Sequence, residues 1–244
     1  MNFIILASGR GSRLNKLTKK KPKCLTIIKN KKTLLDYLTL NFNESDNVII
    51  STGYKANLVK KHVGNKKINY VRNKKFLNTN MVESLMLCKK KLKEGDIVIL
   101  YGDIFFDKNI LKKLVKIKGN IIPINSNWLK SWKKRYKTIE KIKSDAEDLI
   151  ISRKNIISIG NKITKKIPKY QYMGILKVSF KSFLKLQKFY QKLQNKKIGL
   201  TQFIDRAIKA KITKFKFMRT AKYWFEVDNI EDLSFLKKEI KKLF

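Results

Sequence analysis

Histidine is almost missing from this chain: its 244 residues hold one, at position 62. Cysteine is scarce as well, with only Cys24 and Cys88. A disulfide framework and the usual thiol- or imidazole-rich metal sites are therefore excluded. Three prolines and ten glycines leave no material for long flexible linkers. Apolar runs are short. The first spans only Phe3 to Ala7, far less than a signal peptide or a membrane helix requires, and no later run approaches a span. A cytoplasmic protein that does not enter membranes is the expectation.

Acidic residues are also few, 18 against 58 basic ones, which gives a formal net charge of +40. Such a charge raises the possibility of a basic nucleic-acid-binding protein. Yet 51 of the basic residues are lysine and only 7 are arginine. Specific nucleic-acid readers lean on arginine for bidentate and stacking contacts. The lysines run along the whole chain and form no single arm. Asn, Ile, Phe and Tyr are abundant too, and all these residues have A/T-rich codons, so genome composition accounts for the charge. No specific nucleic-acid partner is expected. What is plentiful is core material: 43% hydrophobic and 11% aromatic residues, enough for one sizeable domain.

Strand and helix patterns alternate along the first half. Asn2–Ala7, Val48–Thr52, Ile68–Val71, Ile97–Tyr101 and Asn120–Ile124 read as buried strands. Thr33–Phe42, Ala56–Val63, Met81–Leu92 and Asn109–Ile117 read as helices between them. This alternation predicts an α/β fold with a mixed, mostly parallel sheet. After residue 125 comes a long irregular or helical insert. Two strands at Leu149–Ser152 and Ile156–Ile159 follow, joined by a turn at 153–155, and a third runs from Tyr172 to Val178. Helices over Phe180–Leu193 and Thr201–Ala210, a strand at Lys214–Met218 and a helix starting at Asp228 complete the chain.

Directly after the first strand stands "ASGRGSRLNKLTKKKPK", residues 7 to 23. Gly9 and Gly11 let a backbone approach a bulky anion closely, and the neighbouring cations neutralise it. The P-loop pattern G-x-x-x-x-G-K-[ST] is absent, and the third glycine of a dinucleotide fingerprint is replaced by Leu14. The remaining pattern, strand then G-x-G-x-R-L-x-x-L-T-x-x-x-P-K, is far longer than a lone G-x-G.

That stretch resembles the signature of nucleotidyltransferases that activate sugar phosphates and other small phosphates. The resemblance implies that Leu6, Ala7, Gly9 and Gly11 cradle a nucleoside triphosphate, with Arg13 and Lys23 as catalytic cations. Lys16 stands where the family usually has proline. Further matches are collinear. "STGY" places Gly53 beside the base, and "NTNMVESL" resembles the cytidylyl branch and adds Asn80 and Ser84. "YGDIFF" and "WFEVD" match the segments whose aspartates ligate magnesium, giving Asp103 and Asp228. Read alone, each of those two is equally a helix N-cap. "NWLKSWKKRY", "DAEDL" and "QYMGILKVS" resemble the acceptor region of cytidylyltransferases for phosphocholine, phosphoglutamine and phosphonates. They give Trp128, Trp132, Arg135, Asp145, Glu147, Tyr172 and Lys177 as candidate acceptor contacts. Core packing, salt bridges and a solvated strand end are the alternative readings of these residues.

The implied fold is a Rossmann-like sheet with flanking helices, of the nucleotide-diphospho-sugar transferase type. It would form a single domain over residues 1–244, with an acceptor-binding insert over about 125–170. The implied activity is Mg²⁺-dependent transfer of CMP from CTP to a small phosphate or phosphonate acceptor, releasing pyrophosphate. Products of that kind are CDP-linked headgroups used in surface glycan or lipid decoration. A sugar 1-phosphate is the alternative acceptor. The sequence leaves the oligomeric state open, a homodimer included.

Overall fold

In a computed structural model of the chain, residues 1–14, 16–64 and 66–243 are described, with side chains through residue 240. The first half contains β1 (Asn2–Ala7), α1 (Lys16–Lys19), the hairpin β2–β3 (Ile27–Lys29 and Lys32–Thr33), α2 (Leu34–Thr39) and β4 (Asn47–Thr52). Then come α3 (Ala56–Val63), β5 (Asn69–Arg72), α4 (Met81–Leu87), β6 (Ile97–Tyr101), β7 (Ile104–Phe106), α5 (Lys108–Lys116) and β8 (Ile121–Asn125). The second half contains α6 (Trp128–Arg135), α7 (Ile139–Asp145), the hairpin β9–β10 (Glu147–Ser152 and Asn155–Lys162), β11 (Gln171–Tyr172) and β12 (Ile175–Val178). It ends with α8 (Phe180–Lys192), α9 (Leu200–Lys209), β13 (Lys216–Thr220), β14 (Trp224–Glu226) and α10 (Ile230–Leu243).

One mixed sheet runs in the order β5-β4-β1-β6-β12-β8-β13-β10-β9, with β11 also on β8. Strands β5, β4, β1 and β6 pair in parallel. The inner strands β4, β1 and β6 are covered on both faces, so β1 is apolar without a break from Phe3 to Ala7 and all six of its residues are buried. Ile4 and Leu6 join one core with α4, α8 and α9, while Phe3, Ile5 and Ala7 join the other with α2, α3 and α5. The fold is therefore the α/β arrangement expected, with antiparallel pairing of the main sheet contributed by the second half: β12 against β6 and β8, and β10 against β13 and β9.

The chain leaves β1 for β4 on one side and later returns to β6 on the other. The carboxyl ends of β1 and β6 thus border a crevice, the place where open α/β sheets take ligands. Two antiparallel strands that the sequence pattern did not mark, β7 and β14, form a separate ribbon above it. The insert consists of α6 and α7, followed by β9 and β10, which extend the main sheet. The strand expected over 172–178 is interrupted between β11 and β12.

Candidate active site

The glycine loop starts where β1 ends. Gly11 adopts φ +70°, and a Cβ there would lie 2.6 Å from Lys23 Cβ. Only glycine admits both the backbone turn and the lysine passing behind it. Gly11 O accepts from Leu14 N at 3.0 Å and Thr18 Oγ1 at 2.8 Å, closing the loop on itself. Gly9 faces open space. Gly53 lies under the same loop: a Cβ there would meet Ser8 O at 2.6 Å and Phe76 Cβ at 2.8 Å. Tyr54 ties the loop down, donating from its amide to Ser8 O and from its hydroxyl to Lys19 O.

Three carboxylates converge opposite this loop. Asp103 follows β6, Glu226 ends β14 and Asp228 precedes α10. One oxygen from each falls within 4.8 Å of the others. Lys23 reaches into the group and donates to Asp103 Oδ2 at 2.7 Å and Asp228 Oδ1 at 2.9 Å. Arg13 donates to Asp228 Oδ1 at 2.7 Å from a largely exposed position. Burial alone would lower the Lys23 pKa, but Asp103, Asp228 and Glu226 outweigh it and hold the ammonium above the ordinary lysine range. Burial pushes Asp228 up, and Lys23 and Arg13 more than reverse that. For Glu226 the balance goes the other way: burial, then Asp228 and Asp103, outweigh the pull of Lys23 and raise its pKa well above the glutamate range. Asp103 Oδ1 is buried and accepts no hydrogen bond. A recessed, all-oxygen donor set with an unmatched oxygen fits a hard divalent cation.

Two cavities meet at this cluster. The first, about 160 Å³, is lined by Leu6, Ser8, Gly9, Phe76, Asn80, Ser84 and Asp103 among others. Asn80 caps α4 by accepting from Met81 N. Ser84 is buried and accepts from Asn73 Nδ2 at 2.9 Å, so its wall is internally braced. The second cavity, about 300 Å³, shares Asn80, Met81 and Tyr101 with the first and extends over Trp132, Tyr172 and Trp224. Its lining includes the carboxylates Asp145, Glu147, Glu226 and Asp228, and Arg13 is the one basic side chain among the described residues there. In a chain with 58 basic and 18 acidic residues, that reversal is local and marked. Burial raises the Glu147 pKa even though Thr201 Oγ1 donates to it at 2.9 Å.

Most of the residues expected from sequence meet here, and some stand elsewhere. Ala7 points into the core on the opposite face. Trp128 is buried, with Nε1 donating to Pro168 O at 3.3 Å. Arg135 sits behind Trp132 in an ion pair with Asp232, and neither Arg135 nor Trp128 lines either cavity. Lys177 is only 2% exposed and is consumed by Asp96 at 2.9 Å and by the carbonyls of Val115 and Ile117. It is thus not a solvated strand end facing an acceptor. Asp148 accepts from its neighbour Leu149 N. Several lining residues carry no assignment from sequence, among them Glu226, Tyr101 and Thr201. Glu226 was detectable, because it lies two residues before Asp228 at the end of a strand, where that spacing shares a face.

Known proteins match this chain along nearly its whole length. The profile of the nucleotidyl transferase family matches residues 2–242. The CTP:phosphoglutamine cytidylyltransferase of Campylobacter jejuni subsp. jejuni serotype O:2 is 30% identical over 252 aligned positions, covering 96% of this chain and 98% of that protein. Two solved structures share the fold at a TM-score of 0.75. The inositol-1-phosphate CTP transferase from T. maritima is 20% identical, with 99% of this chain and 96% of that chain covered. The CTP:phosphocholine cytidylyltransferase from Streptococcus pneumoniae is 18% identical, with 98% of each chain covered.

Proposed function

The chain belongs to the nucleotidyl transferase family, and from that premise we propose that it transfers CMP from CTP to a small, amino-bearing phosphate or phosphonate. It is an enzyme of the nucleotidyltransferase type. The choice of CTP is supported by the full-length relative, whose name gives that nucleotide. The amino-bearing acceptor rests on one observation: a cavity lined by four carboxylates and four aromatic rings beside a single arginine, in a chain of net charge +40. Carboxylates and ring faces both attract an ammonium group. Phosphocholine, a phosphoglutamine-like compound and 2-aminoethylphosphonate share that chemistry.

The first cavity would hold the nucleoside, with the triphosphate following the glycine loop toward Arg13 and Lys23. The acceptor would lie in the second cavity, its anionic oxygen directed at the α-phosphorus. That oxygen forms the new P–O bond as the bond to the bridging α,β-oxygen breaks, and the electron pair leaves with pyrophosphate. The acceptor is already ionised, so no general base is required. Asp103, Glu226 and Asp228 would hold Mg²⁺, which when bound supplies positive charge to the α-phosphate and its developing negative charge. Arg13 and Lys23 neutralise the departing phosphates, and Gly9 lets the backbone come close. Preorganised donors of this kind contribute about 2.7–4 kcal/mol each to the transition state.

Pyrophosphate release, measured for each nucleoside triphosphate against a panel of acceptors, tests the reading. Turnover should be fastest with CTP and an amino-bearing phosphate or phosphonate. A sugar 1-phosphate as the best acceptor would refute the amino-acceptor assignment and leave the nucleotidyltransferase assignment standing.

A further inference from the structure

Arg135 is the last residue of α6, and its side chain is 2% exposed, as is that of Asp232 in the first turn of α10. The two form a two-point pair: Nε to Oδ1 at 2.8 Å and Nη2 to Oδ2 at 2.7 Å. Asp232 Oδ2 in turn accepts from the backbone amides of Asp228 at 2.9 Å and Asn229 at 3.2 Å. Asn229 Oδ1 accepts from Asp232 N at 2.9 Å, which completes a reciprocal cap on α10. The carboxylate beneath Arg135 is thus what fixes the backbone of Asp228.

The other side of the guanidinium serves the opposite wall. Arg135 lies 4.5 Å from the Trp132 ring centroid. Its Nη1 is 3.6 Å from Asp145 Oδ2, the same oxygen that accepts from Trp132 Nε1 at 2.8 Å. Trp132 stacks on Trp224 at 5.2 Å and 18°. Trp132, Asp145 and Trp224 line the second cavity, as does Asp228. One buried cation therefore joins the carboxylate loop to the wall facing the acceptor.

A buried ion pair is weak evidence for stability, because desolvating both charges offsets much of their attraction. A device that fixes one geometry is better attested, and an arginine fork suits it, since its planar group can pair and stack at once. We propose that Arg135 is a positioning residue that sets the distance and orientation between the acceptor wall and Asp228. This rests on the assignment of the second cavity to the acceptor, but two of its tests do not.

The variants are Arg135→Lys, which keeps the charge and loses the fork, and Arg135→Met, which keeps only the bulk. Asn2→Ala serves as a destabilised control. Asn2 is fully buried at the amino end of β1, remote from the crevice, and bonds to the carbonyls of Lys93 and Asp96. All are compared at temperatures well below their own Tm. In Arg135→Lys, kcat should fall by roughly ten- to hundredfold, the scale of a displacement near 1 Å. The acceptor KM should rise several-fold, and the CTP KM should stay within about twofold, because the glycine loop is untouched. Arg135→Met should do the same more strongly. Two readouts need no acceptor. The near-ultraviolet circular dichroism of the Trp132–Trp224 stack should weaken, and Mn²⁺ affinity should drop several-fold. Folded Arg135→Lys with unchanged dichroism and unchanged Mn²⁺ affinity overturns the proposal whatever the acceptor is. Kinetic losses no larger than those of Asn2→Ala at matched stability also overturn it. Changed dichroism and Mn²⁺ affinity, with no acceptor turned over by the wild-type enzyme, would uphold Arg135 and reject the acceptor assignment.

Discussion

Lys23 Nζ lies 2.7 Å from Asp103 Oδ2, and it spans from there to Asp228 Oδ1 at 2.9 Å. The ammonium occupies ground that a metal ion would share, and under the proposed function the triphosphate would need the same side chain. Lys23→Met should therefore have two opposite effects. Without nucleotide, the three carboxylates lose their internal cation, and Mn²⁺ should bind several-fold more tightly. Turnover should nevertheless fall by roughly 10²–10³, the cost of one lost anion-stabilising donor. Calorimetric titration with Mn²⁺ in the absence of CTP decides the first point. Equal or weaker binding by the variant would show that the lysine does not compete for these oxygens.

Asp103→Asn and Asp228→Asn should each lose on the order of 10²–10³ in kcat, since each removes one charge from the set proposed to hold Mg²⁺ at the α-phosphate. The fold should survive, because Lys23 keeps one carboxylate partner in either variant. Circular dichroism with turnover at saturating Mg²⁺ is the measurement. A folded variant with near wild-type rate removes that aspartate from the site.

The two loop glycines should fail differently. An alanine at Gly11 would be strained by φ +70° and would press on Lys23 Cβ. Left-handed backbone costs an L-residue roughly 1–2 kcal/mol before any clash. Gly11→Ala should therefore lower both the Tm and kcat. Gly9 faces open space, so Gly9→Ala should keep its Tm and raise the CTP KM, because only the ligand needs that approach. Equal Tm losses in the two variants would contradict this account.

The parallel half of the sheet was legible because burial on both faces writes continuous apolar runs, as in β1 and β6. Asp103 and Asp228 came from the family resemblance of "YGDIFF" and "WFEVD", because each alone reads equally as a helix N-cap. What stayed hidden depended on partners far away in sequence. Lys177 looked like a strand-end cation, but Asp96 and two carbonyls on the α5 side claim it. Arg135 looked like an acceptor contact, and its partner, Asp232, is 97 residues away. Trp132 and Trp128 were alike as sequence, yet only the first lines the cavity. The ribbon of β7 and β14 was missed because three-residue strands carry too little periodicity to register.

Glu147 should link stability to acceptor choice, and pH should reveal the first half. Burial raises its pKa above the ordinary 4.5, against the pull of the Thr201 hydroxyl. The folded protein therefore holds this proton more tightly than the unfolded chain does. Below about pH 4.5 the group is neutral in both states and costs nothing. As pH rises from there toward the folded-state pKa, the native state pays for a buried charge, and stability falls. Glu147→Gln can still accept from Thr201 and carries no charge. Its stability relative to wild type should be near zero in acid and should grow with pH until the folded-state pKa is passed. The same change should harm function. A hydrogen bond to a charged partner contributes about 1.5–3 kcal/mol, which corresponds to roughly 10- to 150-fold in kcat/KM for an amino-bearing acceptor. An acceptor without the cationic group, and CTP itself, should be nearly indifferent. Denaturant unfolding of both proteins from pH 4 to 8, with competition among the acceptors at neutral pH, reads both halves. A stability gap that is flat with pH, or widest in acid, would place the charge of Glu147 outside the buried wall. Equal loss with every acceptor would mean that the carboxylate does not read the ammonium.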